Sequence, residues 1–92
     1  MVVGSLTVRL LVREARTLKD KRQVVRSIID RLRNGFNVSV AEVDALDHRQ
    51  LAVLGVAMVG TEAGAVHTCL NRIVEALRSH PVAELLGHEL DT

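Results

Sequence analysis

The stretch that decides the fold is TLKDKRQVVRSIIDRLRNG, which spans Thr17–Gly35. Its opening, Thr17–Asp20, carries a weaker variant of the capping box, in which a hydroxyl and a carboxylate satisfy free amides of the first helical turn. Asn34-Gly35 supplies a left-handed stop at the other end. The pattern predicts an amphipathic helix that starts at Leu18, with apolar residues at helical spacing: Val25, Ile28, Ile29 and Leu32.

Strand patterns flank this helix on both sides. Before it, alternate residues are apolar at Leu6, Val8, Leu10 and Val12. After it, Phe36, Val38 and Val40 alternate with Asn37, Ser39 and Ala41, and a more continuously apolar third strand runs from Leu51 to Val59. The polar segment between them, Asp44–Arg49, is predicted to be a hairpin loop.

The rest of the chain repeats the order of helix and strand. Apolar residues mark one face of a second helix that ends before Pro81, and residues 84–91 are predicted to form a fourth strand. The order βαββαβ predicts an α+β, ferredoxin-like fold, a four-stranded antiparallel sheet with two helices on one face. A chain of 92 residues suffices for one core, so residues 1–92 are expected to form a single domain.

Composition limits the classes of function. The single cysteine, Cys69, excludes an internal disulfide and a multi-cysteine zinc cluster. No apolar run has the length of a membrane span, and the first residues lack a signal-peptide pattern, so we expect a cytoplasmic protein without membrane contact. Phe36 is the one aromatic residue, which disfavours recognition of RNA bases by stacking.

The distribution of charge is strongly asymmetric. Residues 1–36 carry nine basic and three acidic residues, whereas residues 37–92 carry three basic and eight acidic ones. A net +1 therefore conceals a dipolar molecule. A concentrated positive surface attracts polyanions or acidic protein surfaces through salt-sensitive forces.

Most of this positive charge lies on the first helix. At 100° per residue, four cations fall within an arc of about 60° beside the apolar stripe, whereas Lys21 projects toward the apolar side at the first turn. We predict polyanion binding by Lys19, Lys21, Arg22, Arg26 and Arg33. The alternative is a solvated helix face whose aliphatic stems cover the edge of the core.

Two motifs carry a family resemblance over essentially the whole chain: Thr17-Leu18-Lys19-Asp20-Lys21-Arg22, and Phe36–Asp44, read as FNVSVAEVD. Together with the later Asp47 and Gln50, they resemble the bacterial YlxP-like family. Thr17, Arg49 and Leu51 depart from its usual Ser, aromatic and basic residues. The resemblance implies a ferredoxin-like fold and an unassigned role. Genes of the family often lie near translation-initiation and ribosome-maturation genes, which implies RNA or a ribosomal subunit as partner.

The polar residues between positions 42 and 50 are expected to have structural or interaction roles. Asp47 and Gln50 are expected to fix the hairpin loop, and Asp44 belongs to the same segment. Glu42, near a strand end, is expected to be solvated; if it points inward, it needs an Arg partner, which the first helix could provide. Asp44, Asp47 and His48 offer only a weak metal site, and we expect neither metal nor cofactor.

Catalytic patterns are weak in this chain. Cys69 lies in the apolar stripe of the second helix, where a buried, inert thiol is expected, and neither His67 nor His80 neighbours a nucleophile. The sequence thus favours a non-enzymatic module that binds RNA or a ribosomal particle. Two alternatives stay open. One is a homodimeric protein-interaction scaffold that uses the open sheet face; the other is a small hydrolase of phosphate esters or acyl phosphates.

Overall fold

A computed structural model describes residues 1–91 and shows the βαββαβ order. The elements are β1 (Val2–Leu11), α1 (Leu18–Gly35), β2 (Ser39–Asp44), β3 (Leu51–Gly60), α2 (Ala63–Arg78) and β4 (Glu84–Asp91). The strands form one antiparallel sheet in the order β2-β3-β1-β4, and both helices cover the same face. The ferredoxin-like prediction is confirmed.

The capping box predicted for the first helix is present. The Asp20 amide donates to Thr17 Oγ1 at 3.1 Å, and the Thr17 amide donates to Asp20 Oδ2 at 3.2 Å. Asp20 Oδ2 also accepts from the Arg16 amide at 3.0 Å, and these bonds, led by that of Arg16, lower the pKa of the Asp20 carboxyl. The charged Asp20 carboxylate therefore fixes the connection between β1 and α1 at the start of the helix.

The other end of α1 differs from the sequence prediction. Gly35 is the last helical residue, and no glycine among residues 1–91 has a positive φ, so the left-handed stop is wrong. Instead the chain leaves the helix through an extended Phe36, whose amide still donates to the Leu32 carbonyl at 2.9 Å. Phe36 to Val38 turn the chain, which delays the start of β2 to Ser39.

The core lies between the sheet and the two helices. The inward-facing residues of β1 and β3 are almost wholly buried, as is the apolar stripe of each helix. From β1 and β3 they are Leu6, Val8, Leu10, Ala52, Leu54 and Val56; from the helices they are Val25, Ile28, Leu32, Val66, Leu70, Ile73, Val74 and Leu77. Burial of these side chains supplies most of the drive to fold. Cys69 is only half-buried, so the expectation of a buried thiol is wrong.

The opposite sheet face is open and carries mostly small or β-branched side chains. Val3 and Val59, which face each other across β1 and β3, are each 56% exposed. Val43 lies on this face against Gly55, where a side chain at position 55 would collide with it. Near β4, Arg9 covers Gly87 and lies 3.9 Å from Glu89. The helical layer therefore covers one face of the sheet, and the other is available for contact.

A histidine holds the connection between α2 and β4. His80 Nδ1 accepts from the amides of Val82 at 3.1 Å and Ala83 at 3.0 Å, which requires the proton to be on Nε2. Burial lowers the pKa of His80 below its ordinary 6.5, and the positive charge of Arg31 lowers it further. The neutral ring is thus the form that fits the fold.

This pKa shift predicts a pH-dependent stability. The unfolded chain takes up the His80 proton at a higher pH than the folded chain does. The contribution of neutral His80 to the free energy of unfolding is therefore fully present above about pH 6.5. It is lost as the pH falls through the lower pKa that His80 has in the folded chain. Urea unfolding between pH 5 and pH 8 should show a steeper loss of stability on acidification for the native chain than for His80→Asn. Equal pH slopes for the two proteins would contradict this role.

Candidate polyanion interface

A row of exposed cations follows the flank of α1 that faces the edge strand β2. Lys19, Arg22, Arg26 and Arg33 are all exposed, and the 3.6-residue period sets them beside the buried stripe. None of the four has a carboxylate oxygen within 4 Å among residues 1–91. Their charges are therefore not neutralised by neighbouring ion pairs. We call these four residues the α1 cation row.

The α1 cation row borders a groove between the helix and the outer edge of β2. Arg22, Arg26 and Arg33 line it on the helix side, while Val40 to Glu42 line it on the strand side. Arg33 Nη2 donates to the Val40 carbonyl at 2.9 Å, so one edge carbonyl of the sheet is already occupied. Asp30 is the one acidic residue of α1 in the groove. The groove is therefore positive, shallow and open along the helix.

Lys21 does not belong to this surface, and its predicted role in polyanion binding is wrong. Its side chain is completely buried, as the angular position beside the apolar stripe indicated. The ammonium donates to three backbone carbonyls, those of Ala45 at 2.9 Å, Leu51 at 3.1 Å and Leu46 at 3.3 Å. Three N–H donors thus meet three acceptors, and no donor is left for a ligand.

The charge of Lys21 is balanced by Glu42. Glu42 Oε2 lies 2.9 Å from Lys21 Nζ, and the carboxylate side chain is only 14% exposed. The expectation of a solvated Glu42 is wrong; the carboxylate points inward to a cation of α1. Oε2 accepts no hydrogen bond, because the ammonium hydrogens are directed at the carbonyls. The pair is therefore held by charge alone, in surroundings where an unpaired ion would be costly.

The loop between β2 and β3, residues 45–50, is shaped by local hydrogen bonds. Ala45 adopts a positive φ of 56°, and its amide donates to Asp44 Oδ1 at 2.7 Å. His48 Nδ1 accepts from the amides of Gln50 at 3.0 Å and Leu51 at 2.9 Å. Asp47 is exposed and makes no side-chain hydrogen bond or ion pair within residues 1–91. The expectation that Asp47 fixes the loop is therefore wrong; Asp44, His48 and Lys21 make the bonds that fix it.

Gln50 joins this loop to the segment that precedes α1. Its Nε2 donates to the Arg13 carbonyl at 2.8 Å and the Ala15 carbonyl at 3.4 Å. The expected side-chain to backbone bonds of Gln50 are thus present, but their acceptors lie in the segment before α1 and not in the hairpin loop. No cluster of three metal-ligating side chains exists within residues 1–91, so Asp44, Asp47 and His48 do not converge on a metal site there.

Two further cations extend the basic surface around the start of α1. Arg16 and Arg49 are exposed and line one depression, and Arg49 Nη1 lies 3.5 Å from the Arg16 carbonyl. Arg13 borders the same depression but is paired with Glu84, with Nη2 and Oε2 2.6 Å apart. Sequence reasoning missed Arg16 and Arg49 because they are 33 positions apart and meet only when the two loops pack together.

Three acidic residues of the sheet lie away from this surface, whereas Glu42 and Asp44 of β2 lie beside it. Glu84, Glu89 and Asp91 are exposed on β4, the edge strand farthest from β2. The charge asymmetry of the sequence is therefore partly spatial: the cations lie along α1 and three carboxylates lie along β4, while Glu42, Asp44 and Asp47 lie on or next to β2. Such a separation orients a polyanion toward one side of the molecule.

Fold and surface together define a small ferredoxin-like module with one basic flank and no helix, within residues 1–91, that is long and apolar enough to cross a membrane. Residues 3–90 match the family described as Protein of unknown function (DUF503), and the chain belongs to this family. It is 30% identical over 83 residues to the uncharacterized protein YlxP of Bacillus subtilis (strain 168), with 90% of each chain covered.

Among solved structures, the chain is similar to a de novo designed protein with a ferredoxin fold, determined in solution by NMR. The match has a TM-score of 0.52 at 19% identity and covers 100% of this chain and 87% of the designed one. At this identity the similarity concerns the fold alone. The resemblance to the YlxP-like family is confirmed by the family match over residues 3–90 and by the similarity to YlxP of Bacillus subtilis.

Proposed function

We propose that this protein is a non-enzymatic, cytoplasmic module that binds RNA, in particular the RNA of a ribosomal subunit, through the α1 cation row. The observation that supports it is the set of exposed charges of Lys19, Arg22, Arg26 and Arg33 without ion-pair partners among residues 1–91. Unpaired cations release counterions from phosphates at no cost of breaking an existing pair. The genomic setting that the family resemblance implies favours ribosomal RNA over an acidic protein.

The shape of the groove favours contact with the RNA backbone. Three guanidinium groups follow one another along α1, and each is suited to bidentate recognition of phosphate. No aromatic side chain lines the groove, so stacked bases have no platform there. Arg16 and Arg49 continue the positive surface beyond the first turn of α1. The proposed recognition therefore depends on charge and shape rather than on base sequence.

A charge-reversal pair tests this site. Arg22→Glu with Arg26→Glu should abolish binding to labelled ribosomal RNA and small subunits in a titration at low salt, because two attractive contacts become repulsive. Arg72→Glu with Arg78→Glu on α2 changes the net charge equally and serves as the matched control, with circular dichroism to verify folding. The proposal fails if the α1 pair binds like the native chain, or if both pairs lose binding equally.

The open sheet face supports a second proposal, a homodimeric interaction scaffold. Val3, Val43 and Val59 are each more than half exposed on a face whose neighbours are mostly small, which permits a second sheet to approach. Val53 alternates with the buried Ala52 and Leu54 and lies on the same face as Val59. Sedimentation equilibrium should then show a dimer for the native chain and for the α1 charge-reversal pair, but a monomer for Val53→Asp with Val59→Asp. A monomeric native chain at 100-fold the concentration used for RNA titration would exclude it.

A further inference from the structure

A cleft of about 250 Å³ lies between the C-terminal halves of the two helices. It faces away from the open sheet face and is distinct from the groove beside β2. The helices pack mainly on the sheet and make little direct backbone contact with each other, which leaves the space between them unfilled. At about 30 Å³ per water molecule, this volume equals roughly eight waters, or a ligand of about ten non-hydrogen atoms.

The floor of the cleft is apolar. Ile28, Leu32 and Leu77 form it and are each less than 5% exposed, and the half-buried Phe36 forms one wall. Ala76, at the helix surface, is small and leaves the entrance open. An apolar body placed here would displace water from surfaces that cannot hydrogen-bond to it.

The polar groups at the rim are suited to an anion. Arg31 lines the cleft, is exposed and has no ion-pair partner among residues 1–91. His80 also lines it, and because its Nδ1 accepts two backbone amides, its Nε2 carries a proton and is a donor. The Ser79 hydroxyl already donates to the Ala76 carbonyl at 3.3 Å. No carboxylate lines the cleft.

We propose that the interhelical cleft binds a small organic anion, namely a carboxylate with an apolar body. Its carboxylate accepts hydrogen bonds from Arg31 and from the His80 Nε2–H, and its apolar body lies on Ile28, Leu32 and Leu77. This site is separate from the α1 cation row and does not rest on RNA binding. Charge-assisted bonds to a guanidinium would select the anion over a neutral molecule of the same shape.

Octanoate, with ten non-hydrogen atoms, is the probe for this site. Titration of the isotope-labelled full chain should shift the amide resonances of residues 28–36 and 76–83 at millimolar concentrations or below. Arg31→Gln should weaken octanoate binding about fivefold and leave the binding of octan-1-ol unchanged. Ala76→Leu, a good helix former that fills the entrance, should abolish binding of both compounds.

Controls separate this proposal from the others. Arg72→Gln, an equal loss of charge on α2 outside the cleft, should bind octanoate like the native chain, and so should the Arg22→Glu/Arg26→Glu variant. Resonance shifts confined to the open sheet face would overturn the proposal. Equal octanoate affinity of Arg31→Gln and the native chain, or unchanged binding by Ala76→Leu, would overturn it as well.

Discussion

Lys21→Ala is expected to lower the free energy of unfolding by about 3–5 kcal/mol, a large part of the 5–15 kcal/mol typical of a domain. The substitution leaves the inward-facing carboxylate of Glu42 without a counter-charge and removes the hydrogen-bond donor of the part-buried carbonyls of Ala45, Leu46 and Leu51. Chemical denaturation followed by circular dichroism measures the loss. Lys19→Ala, a lysine two positions away but exposed, should change stability by less than about 0.5 kcal/mol.

A double substitution distinguishes the cost of leaving Glu42 unpaired from the cost of losing the bonds from Lys21 Nζ to the loop carbonyls. Lys21→Met with Glu42→Leu replaces both ions by apolar side chains of similar size and should recover most of the stability lost in Lys21→Met alone, since paired removal of buried ions is often nearly neutral. If the double variant is as unstable as the single one, the bonds from Nζ to the loop carbonyls, rather than the charge of Glu42, account for the effect.

Neutralisation of the α1 cation row is expected to reduce the salt dependence of RNA binding stepwise. For duplex RNA treated like duplex DNA, each cation in contact with a phosphate contributes about 0.9 to the slope of log K against log salt. Glutamine at Lys19, Arg22, Arg26 and Arg33 should therefore lower that slope by three to four in total. Between 50 and 200 mM salt, these four contacts correspond to about a 10²-fold change in affinity.

The same titrations distinguish direct contacts between the α1 cation row and RNA phosphates from a general attraction of RNA by the net charge of the protein. Glutamine at Arg72 and Arg78 should lower affinity slightly at low salt and leave the slope nearly unchanged, because those residues lie on α2, outside the groove beside β2. A slope that falls by the same amount per removed charge in the two sets, four charges on α1 and two on α2, would show that the RNA responds to net charge and has no fixed site on α1. Glutamine is used throughout because it preserves helix propensity.

Periodicity predicted β1, α1, β2 and α2, because strands and helices bury one face with different repeats. The third and fourth strands were predicted from short apolar segments without a clear period. Periodicity failed where local geometry competes with pattern. Phe36 and Val38 continue the alternation of β2, yet they turn the chain out of α1, and Gly35 ends the helix without the left-handed conformation that glycine permits. The alternation marks which side chains are apolar and does not mark where pairing with β3 begins.

Sequence analysis predicted the part of the candidate site that depends on the geometry of α1 alone. Angular positions placed Lys19, Arg22, Arg26 and Arg33 on one flank, and the same angles already set Lys21 apart from them. The partners of Lys21 lie 21 to 30 residues further along the chain, in a loop and two strands, so its role depends on packing that no local pattern reports. For the same reason the sequence favoured a solvated Glu42 and left the inward position as an alternative, because the partner of Glu42 depends on how α1 crosses the sheet.

The burial of Lys21 also limits how this protein can be modified. The chain contains two lysines, and only Lys19 presents its amine to solvent. An acetyltransferase or an amine-reactive reagent would thus meet one side-chain amine, located in the α1 cation row. Acetylation there would remove one positive charge from the α1 cation row and leave the enclosed ammonium, and with it the fold, untouched.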